Sequence, residues 1–168
     1  MTSVPPRLTF VTLGVRDMPR MRAFYTGLGW VERPGASHEF AAFLLGGVVL
    51  ALYGIDDLAG EAAPGEPLTK HGWGGHTFAL NVDEREEVDV VVAAMTAAGA
   101  RKVGQVVDRP WGGRSGYVAD PEGNRWEIAW APGLVLDERG AVASFGETRS
   151  VVARRPRVRA AGRAGTWR

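Results

Sequence analysis

Residues Val11 to Trp30 read VTLGVRDMPRMRAFYTGLGW, and the way this stretch is read decides the fold. Extended back to Leu8 it begins LTFVTLGV, which alternates: Val11, Leu13 and Val15 fall on one face, Phe10, Thr12 and Gly14 on the other. A period of two is the mark of a strand. Asp17 then offers a helix N-cap and Pro19 suits a first turn. Met21, Phe24, Tyr25 and Leu28 recur at i, i+3, i+4 and i+7, the stripe of an amphipathic helix, which Gly27-Leu28-Gly29 closes.

Working outward, strand-like runs follow at Trp30 to Arg33, at Glu39 to Leu45 and, after the Gly46-Gly47 turn, at Val48 to Tyr53. The order is β-α-β-β-β. Residues 55–75, rich in Gly, Pro and acids, read as a linker or lid. The order then starts again with HTFALNV (His76 to Val82), where Leu80 answers Leu13 and Val82 answers Val15. A helix from about Glu84 to Ala98 buries Val88, Val91, Val92 and Met95, and Gly99 stops it. Strands at Lys102 to Val107, Gly116 to Ala119 and Arg125 to Trp130 complete a second unit. A repeat of about seventy residues is the main architectural signal. It predicts a first module at about 7–54, a linker at 55–75, a second module at about 76–132, a short extension at 133–148 and a tail at 149–168.

The chain has 168 residues and no cysteine, so disulfides, thiolate metal sites and a cysteine nucleophile are excluded. A metal would need His, Asp, Glu or Tyr. The last twenty residues hold seven arginines and no acid, which leaves 13 basic against 19 acidic residues, a net of −6, for the rest. Too few large apolar residues accompany those arginines to build a core, so the segment reads as a basic tail, solvated or docked on a neighbouring subunit, in preference to a nucleic-acid module. No targeting segment or membrane span is legible, which points to a cytoplasmic protein.

Each module alone is a small sheet with a helix on one face and nothing on the other. Pairing two modules, within one chain or across a homodimer, would place their open faces around a cavity. By parity those faces carry Phe10, Thr12, Val49, Ala51, Tyr53, Thr77, Ala79, Asn81, Tyr117, Glu127 and Ala129. The set is mostly apolar with a few polar groups, as a small-molecule pocket requires.

The opening stretch and the closing ADPEGNRWEIAW (Ala119 to Trp130) together resemble the vicinal oxygen chelate superfamily, which includes glyoxalase I, extradiol dioxygenases, fosfomycin-resistance transferases and bleomycin-resistance proteins. The resemblance implies an α+β fold of two tandem βαβββ modules forming a U-shaped cup. It also implies four equivalent ligand positions in metal-using members, on the first and last strand of each module. Here those positions fall on Phe10, Ala51, Thr77 and Glu127, and Glu127 alone is of a ligand type. One carboxylate does not make a durable catalytic metal site. His76 would be the nearest substitute, but it shares parity with Phe78 and Leu80 and so turns to the helix face.

Three roles remain open for Glu127: hydrogen-bond acceptor for a ligand or for Thr12, Thr77 or Tyr117; partner of Arg114 or Arg125; or general base on an enolisable substrate. The loop WGGRSG places Trp111 and Arg114 at a rim, and Trp73 stands on the equivalent approach to the other module. The DPEGN turn reads as structure, Asp120-Pro121 opening it and Gly123 supplying a positive φ. The expectation is a glyoxalase-like or bleomycin-resistance-like protein that binds a small organic molecule through Phe10, Thr12, Ala51, Tyr53, Trp73, Thr77, Asn81, Trp111, Arg114, Tyr117 and Glu127, with no metal cofactor. The competing expectation is a lyase, isomerase or dioxygenase holding Zn, Ni, Fe or Mn through Glu127 and His76.

Overall fold

In a computed structural model the described residues are 6–35, 37–68 and 74–145. Trp73 and the basic tail lie outside them. The order is β1 (Phe10–Val15), α1 (Met18–Gly27), β2 (Phe40–Leu45), β3 (Val48–Gly54), α2 (Ile55–Ala62), β4 (Phe78–Asn81), α3 (Glu87–Ala97), β5 (Arg101–Asp108), β6 (Arg114–Ala119), β7 (Arg125–Trp130), β8 (Val135–Leu136) and β9 (Val142–Ser144). Two main sheets result. The first runs β1-β3-β2 and the second β4-β7-β6-β5, with β1 parallel to β3 and β4 parallel to β7. A small hairpin, β8-β9, occupies the extension.

The opening stretch folds as its pattern requires. Asp17 caps α1 by accepting from the Arg20 N–H at 3.0 Å, and Met18, Met21, Phe24 and Tyr25 are buried along the inner stripe. The strand expected at Trp30 to Arg33 is reduced to a single bridge, Glu32 to Phe43. Pro34 offers no N–H to extend a ladder and Gly35 turns the chain at φ 96°. The Arg22 side chain fixes that corner, donating to Glu32 and to the Ser37 carbonyl.

Residues 55–62 are a helix, where the sequence pointed to a linker. Asp56 and Asp57 favour its first turn electrostatically. α2 packs on the face of the first sheet opposite α1, over Gly14, where a Cβ would stand 3.0 Å from Ile55 Cγ1 and 3.3 Å from Leu58 Cδ2. The Tyr53 hydroxyl donates to Glu61 at 3.0 Å on the same face.

The helix-side layers of the two modules merge. Leu13, Met21, Phe24, Leu50 and Leu52 of the first form one core with Val88, Val92, Met95, Val118 and Ile128 of the second. Aromatic rings make the joint: Tyr25 stacks on Trp30 at 5.2 Å, and Trp126 meets Tyr25, Trp30 and Phe78 at 6.0, 5.6 and 5.2 Å. The Tyr25 hydroxyl donates to Asp120 at 2.8 Å, while Glu122 accepts from the Arg16 and Asp17 amides at 2.8 and 2.7 Å. Among the described residues no helix is long and apolar enough to cross a membrane.

Candidate functional site

Because the cores merge on the helix side, the opposite faces of both sheets lie outside them, that of the first partly covered by α2 and that of the second open, and the candidate site residues able to hold or move a proton gather on the second. Register places Ala79, Glu127, Tyr117 and Val103 in one row across β4, β7, β6 and β5, with Asn81, Ala129, Ser115 and Val107 in the next. Burial raises the Tyr117 pKa, and Glu127, as acceptor and as negative charge, raises it further; the Arg109 cation acts in the opposite sense.

The β5-β6 loop folds back over this face. The Arg109 amide donates to the Gly113 carbonyl at 2.8 Å, and the Gly112 amide to the Arg109 carbonyl at 2.9 Å. Trp111 lies across Gly113: a Cβ at that residue would fall 1.6 Å from Trp111 Cζ3, so only glycine leaves room for the ring. Gly113 shares parity with Ser115 and Tyr117, so the indole rests on the Glu127 side of the sheet, still 53% exposed. Between Trp111 and Tyr117 comes Arg109. Its Nε donates to Ser115 Oγ at 2.8 Å and its guanidinium carbon stands 5.7 Å from the Tyr117 ring centroid.

The residues expected to line one cup fall into two groups. Thr77, Asn81, Tyr117, Glu127 and Trp111 belong to the second sheet and its loop, whereas Phe10, Thr12, Ala51 and Tyr53 share the open face of the first. On that first sheet Phe10 is 54% exposed, Ala51 is buried, and Tyr53 is tied to Glu61 under α2. Arg114 is not on the Glu127 face. It bonds Asp89 of α3 at 2.8 Å and Asp108 at 3.2 Å, because its even number sets it opposite Tyr117 in strand parity. Arg125 donates to the Gly123 carbonyl. His76 packs edge-on against Phe78 at 5.6 Å. Arg109 was missed by sequence reasoning, since it stands beyond the end of a strand whose register shifts between Val103 and Val107.

A cleft of about 1110 Å³ opens elsewhere, between Val11 and Leu50 of the first sheet, the β4 strand and the β8-β9 hairpin. Of the expected site residues it takes Thr77 and Asn81, and Arg139 is the one charged group on its wall. Its size does not make it the better candidate. Glu127 and Tyr117 are not on its wall, and the groups able to hold or move a proton gather on the open face instead.

The donor set also bears on metal. The four positions that the superfamily uses are Phe10, Ala51, Thr77 and Glu127. Among the described residues no three of His, Cys, Asp and Glu come together as a metal-holding group. These residues do not fit a resident divalent ion.

The model of the Glyoxalase/Bleomycin resistance protein/Dioxygenase superfamily matches residues 7–128. The chain belongs to this superfamily. The fold is accordingly the superfamily's α+β arrangement of tandem βαβββ modules, with the second strand of the first module worn down to a bridge. A glyoxalase-related enzyme from Fulvimarina pelagi is 30% identical and superposes with a TM-score of 0.76 over 84% of this chain and 100% of its own. A superfamily protein from Nocardioides is 27% identical, with a TM-score of 0.62 over 77% and 86%. Lactoylglutathione lyase from Agrobacterium tumefaciens, at 24% identity and TM-score 0.58 over 76% and 96%, shares the fold. No curated protein matches the sequence.

Proposed function

We propose that this superfamily member is a glyoxalase-like or bleomycin-resistance-like protein that binds a small organic molecule on the open face of its second sheet, without a catalytic metal. One observation carries the reading: Glu127 stands between Tyr117 and Ala79 on a face whose loop end carries a folded-back Trp111, while the other three ligand positions hold Phe10, Ala51 and Thr77. An apolar floor, a flat ring at the edge and a carboxylate with a phenol at the centre suit a molecule with one flat or apolar part and one polar part. The alternative, a metal-dependent lyase, isomerase or dioxygenase using Glu127, needs at least two more donors, and a ring, a methyl and a hydroxyl do not supply them.

The test combines metal analysis with ligand titration. Purified protein should carry Zn, Ni, Fe and Mn only well below stoichiometry. Planar aromatic compounds should quench tryptophan emission saturably, with weaker quenching in Trp111→Ala. One tightly held ion per chain, or no response to any compound of a broad panel, would overturn the reading.

A further inference from the structure

The open face holds a cation without a partner acid. Arg109 is half-buried, and among the described residues no carboxylate approaches it within ion-pair distance. Its position is nonetheless fixed. Nε is held by Ser115 Oγ, which is fully buried on β6, and the guanidinium carbon stands 5.7 Å from the Tyr117 ring centroid. A guanidinium held through Nε keeps its two terminal nitrogens as a planar fork, the geometry that takes a carboxylate bidentately.

We infer that Arg109 is the specificity-determining residue of the site, and that the ligand is a small organic anion whose carboxylate it holds while an apolar or aromatic body lies toward Trp111. The inference rests on the binding role proposed above for this face and names the class of molecule bound. Three features agree on it. A partly buried arginine without an acid is a cost that an incoming anion removes. Same-face residues along a strand are roughly 7 Å apart, so the single step from Trp111 over Gly113 to Arg109 at Ser115 matches a molecule of one or two rings with its charge near one end. Glu127, on the far side of Tyr117, repels a second negative group, which favours a monoanion over a diacid.

The experiment compares 2-naphthoate with 2-naphthamide, of the same shape without the charge, by calorimetric titration on the full chain. Wild-type protein should bind the acid roughly tenfold or more tighter than the amide, as expected for hydrogen bonds to a charged group. Arg109→Gln should remove that preference by weakening the acid far more than the amide; Arg109→Lys should restore part of it. Ser115→Ala keeps the charge but frees the fork, and should reduce the preference without abolishing it. This last variant and the wild-type comparison keep the test decisive if Arg109→Gln does not fold. Equal affinity for acid and amide, or a preference that survives in Arg109→Gln, would refute the role of Arg109 while leaving the binding face standing. If neither compound binds and no planar compound of the broader panel does, the binding face itself is wrong and this inference falls with it.

Discussion

Replacing Tyr25 by Phe isolates one of the contacts that tie the two modules together. The ring is fully buried and would keep its stacking on Trp30; what disappears is the 2.8 Å bond to Asp120. A hydrogen bond to a charged group is worth about 1.5–3 kcal/mol. Asp120 would retain the Glu122 and Asn124 amides and the Asn124 side chain, at 3.0, 2.9 and 2.8 Å, so its carboxylate is not orphaned. The loss should therefore lie near the middle of that range, about 2 kcal/mol, and lower Tm by roughly 4–8 °C. Urea unfolding followed by circular dichroism reads it as a lower midpoint at constant m. A change below about 0.5 kcal/mol would mean that the latch contributes nothing.

The same variant carries a pH signature. Burial, then the Asp120 charge, then the bond to it, raise the Tyr25 pKa above its ordinary 10.0. The unfolded chain ionises near pH 10 while the folded chain still holds its proton. The contribution is complete below pH 10 and declines above it, by about 1.4 kcal/mol per pH unit. The gap between wild type and Tyr25→Phe should thus close by roughly pH 11.5. Parallel stability curves between pH 9 and 11.5 would refute this account of Tyr25.

Two further outcomes follow from the site. In Glu127→Gln the negative charge beside Tyr117 is gone, so a spectrophotometric titration at the phenolate band should show that tyrosine ionising closer to 10.0 than in wild type; an unmoved titration would remove Glu127 as its neighbour. In Gly113→Ala the new methyl meets Trp111 at 1.6 Å and the Trp130 carbonyl oxygen at 2.5 Å. The ring can swing away but the backbone oxygen cannot. A loss of about 1–3 kcal/mol in urea unfolding is expected, with red-shifted tryptophan emission, and unchanged emission would place the indole elsewhere.

How much of this was legible follows from the range over which each signal acts. α1 was readable because its cap, its proline and its stripe all lie within a dozen residues and agree. That Ala79, Glu127 and Tyr117 share a face was readable because strand parity is a local rule that survives folding; that they stand in one row is set by register between strands. α2 was not, since eight residues with three acids and an internal glycine look like a linker until Gly14 is seen to leave room for Ile55. Parity could have found the true place of Arg114, an odd step from Tyr117, but its nearness to the glycine loop argued for the rim. Nothing local could have found Arg109. Its role depends on the β5 register shift and on a loop that closes through the Gly113 carbonyl.

The DPEGN turn shows how structure and site are joined. Its sequence marks it as a tight turn, and so it is: the Gly123 amide donates to the Asp120 carbonyl and the Asp120 amide to the Asn124 carbonyl. Its two acids do more. Asp120 receives the Tyr25 hydroxyl, and Glu122 receives the amides of Arg16 and Asp17 at the start of α1. Both elements of the opening stretch are thereby anchored to the hairpin that runs directly into β7. A strand that slips by one residue turns every side chain to the other face. Holding the β6-β7 turn from outside the second module therefore holds Glu127 beside Tyr117, and Trp126 inside the joint between the modules. The turn stabilises the core and sets the register of the open face at once, which is why the carboxylate of the proposed binding face is placed from a distance by a tyrosine that never touches it.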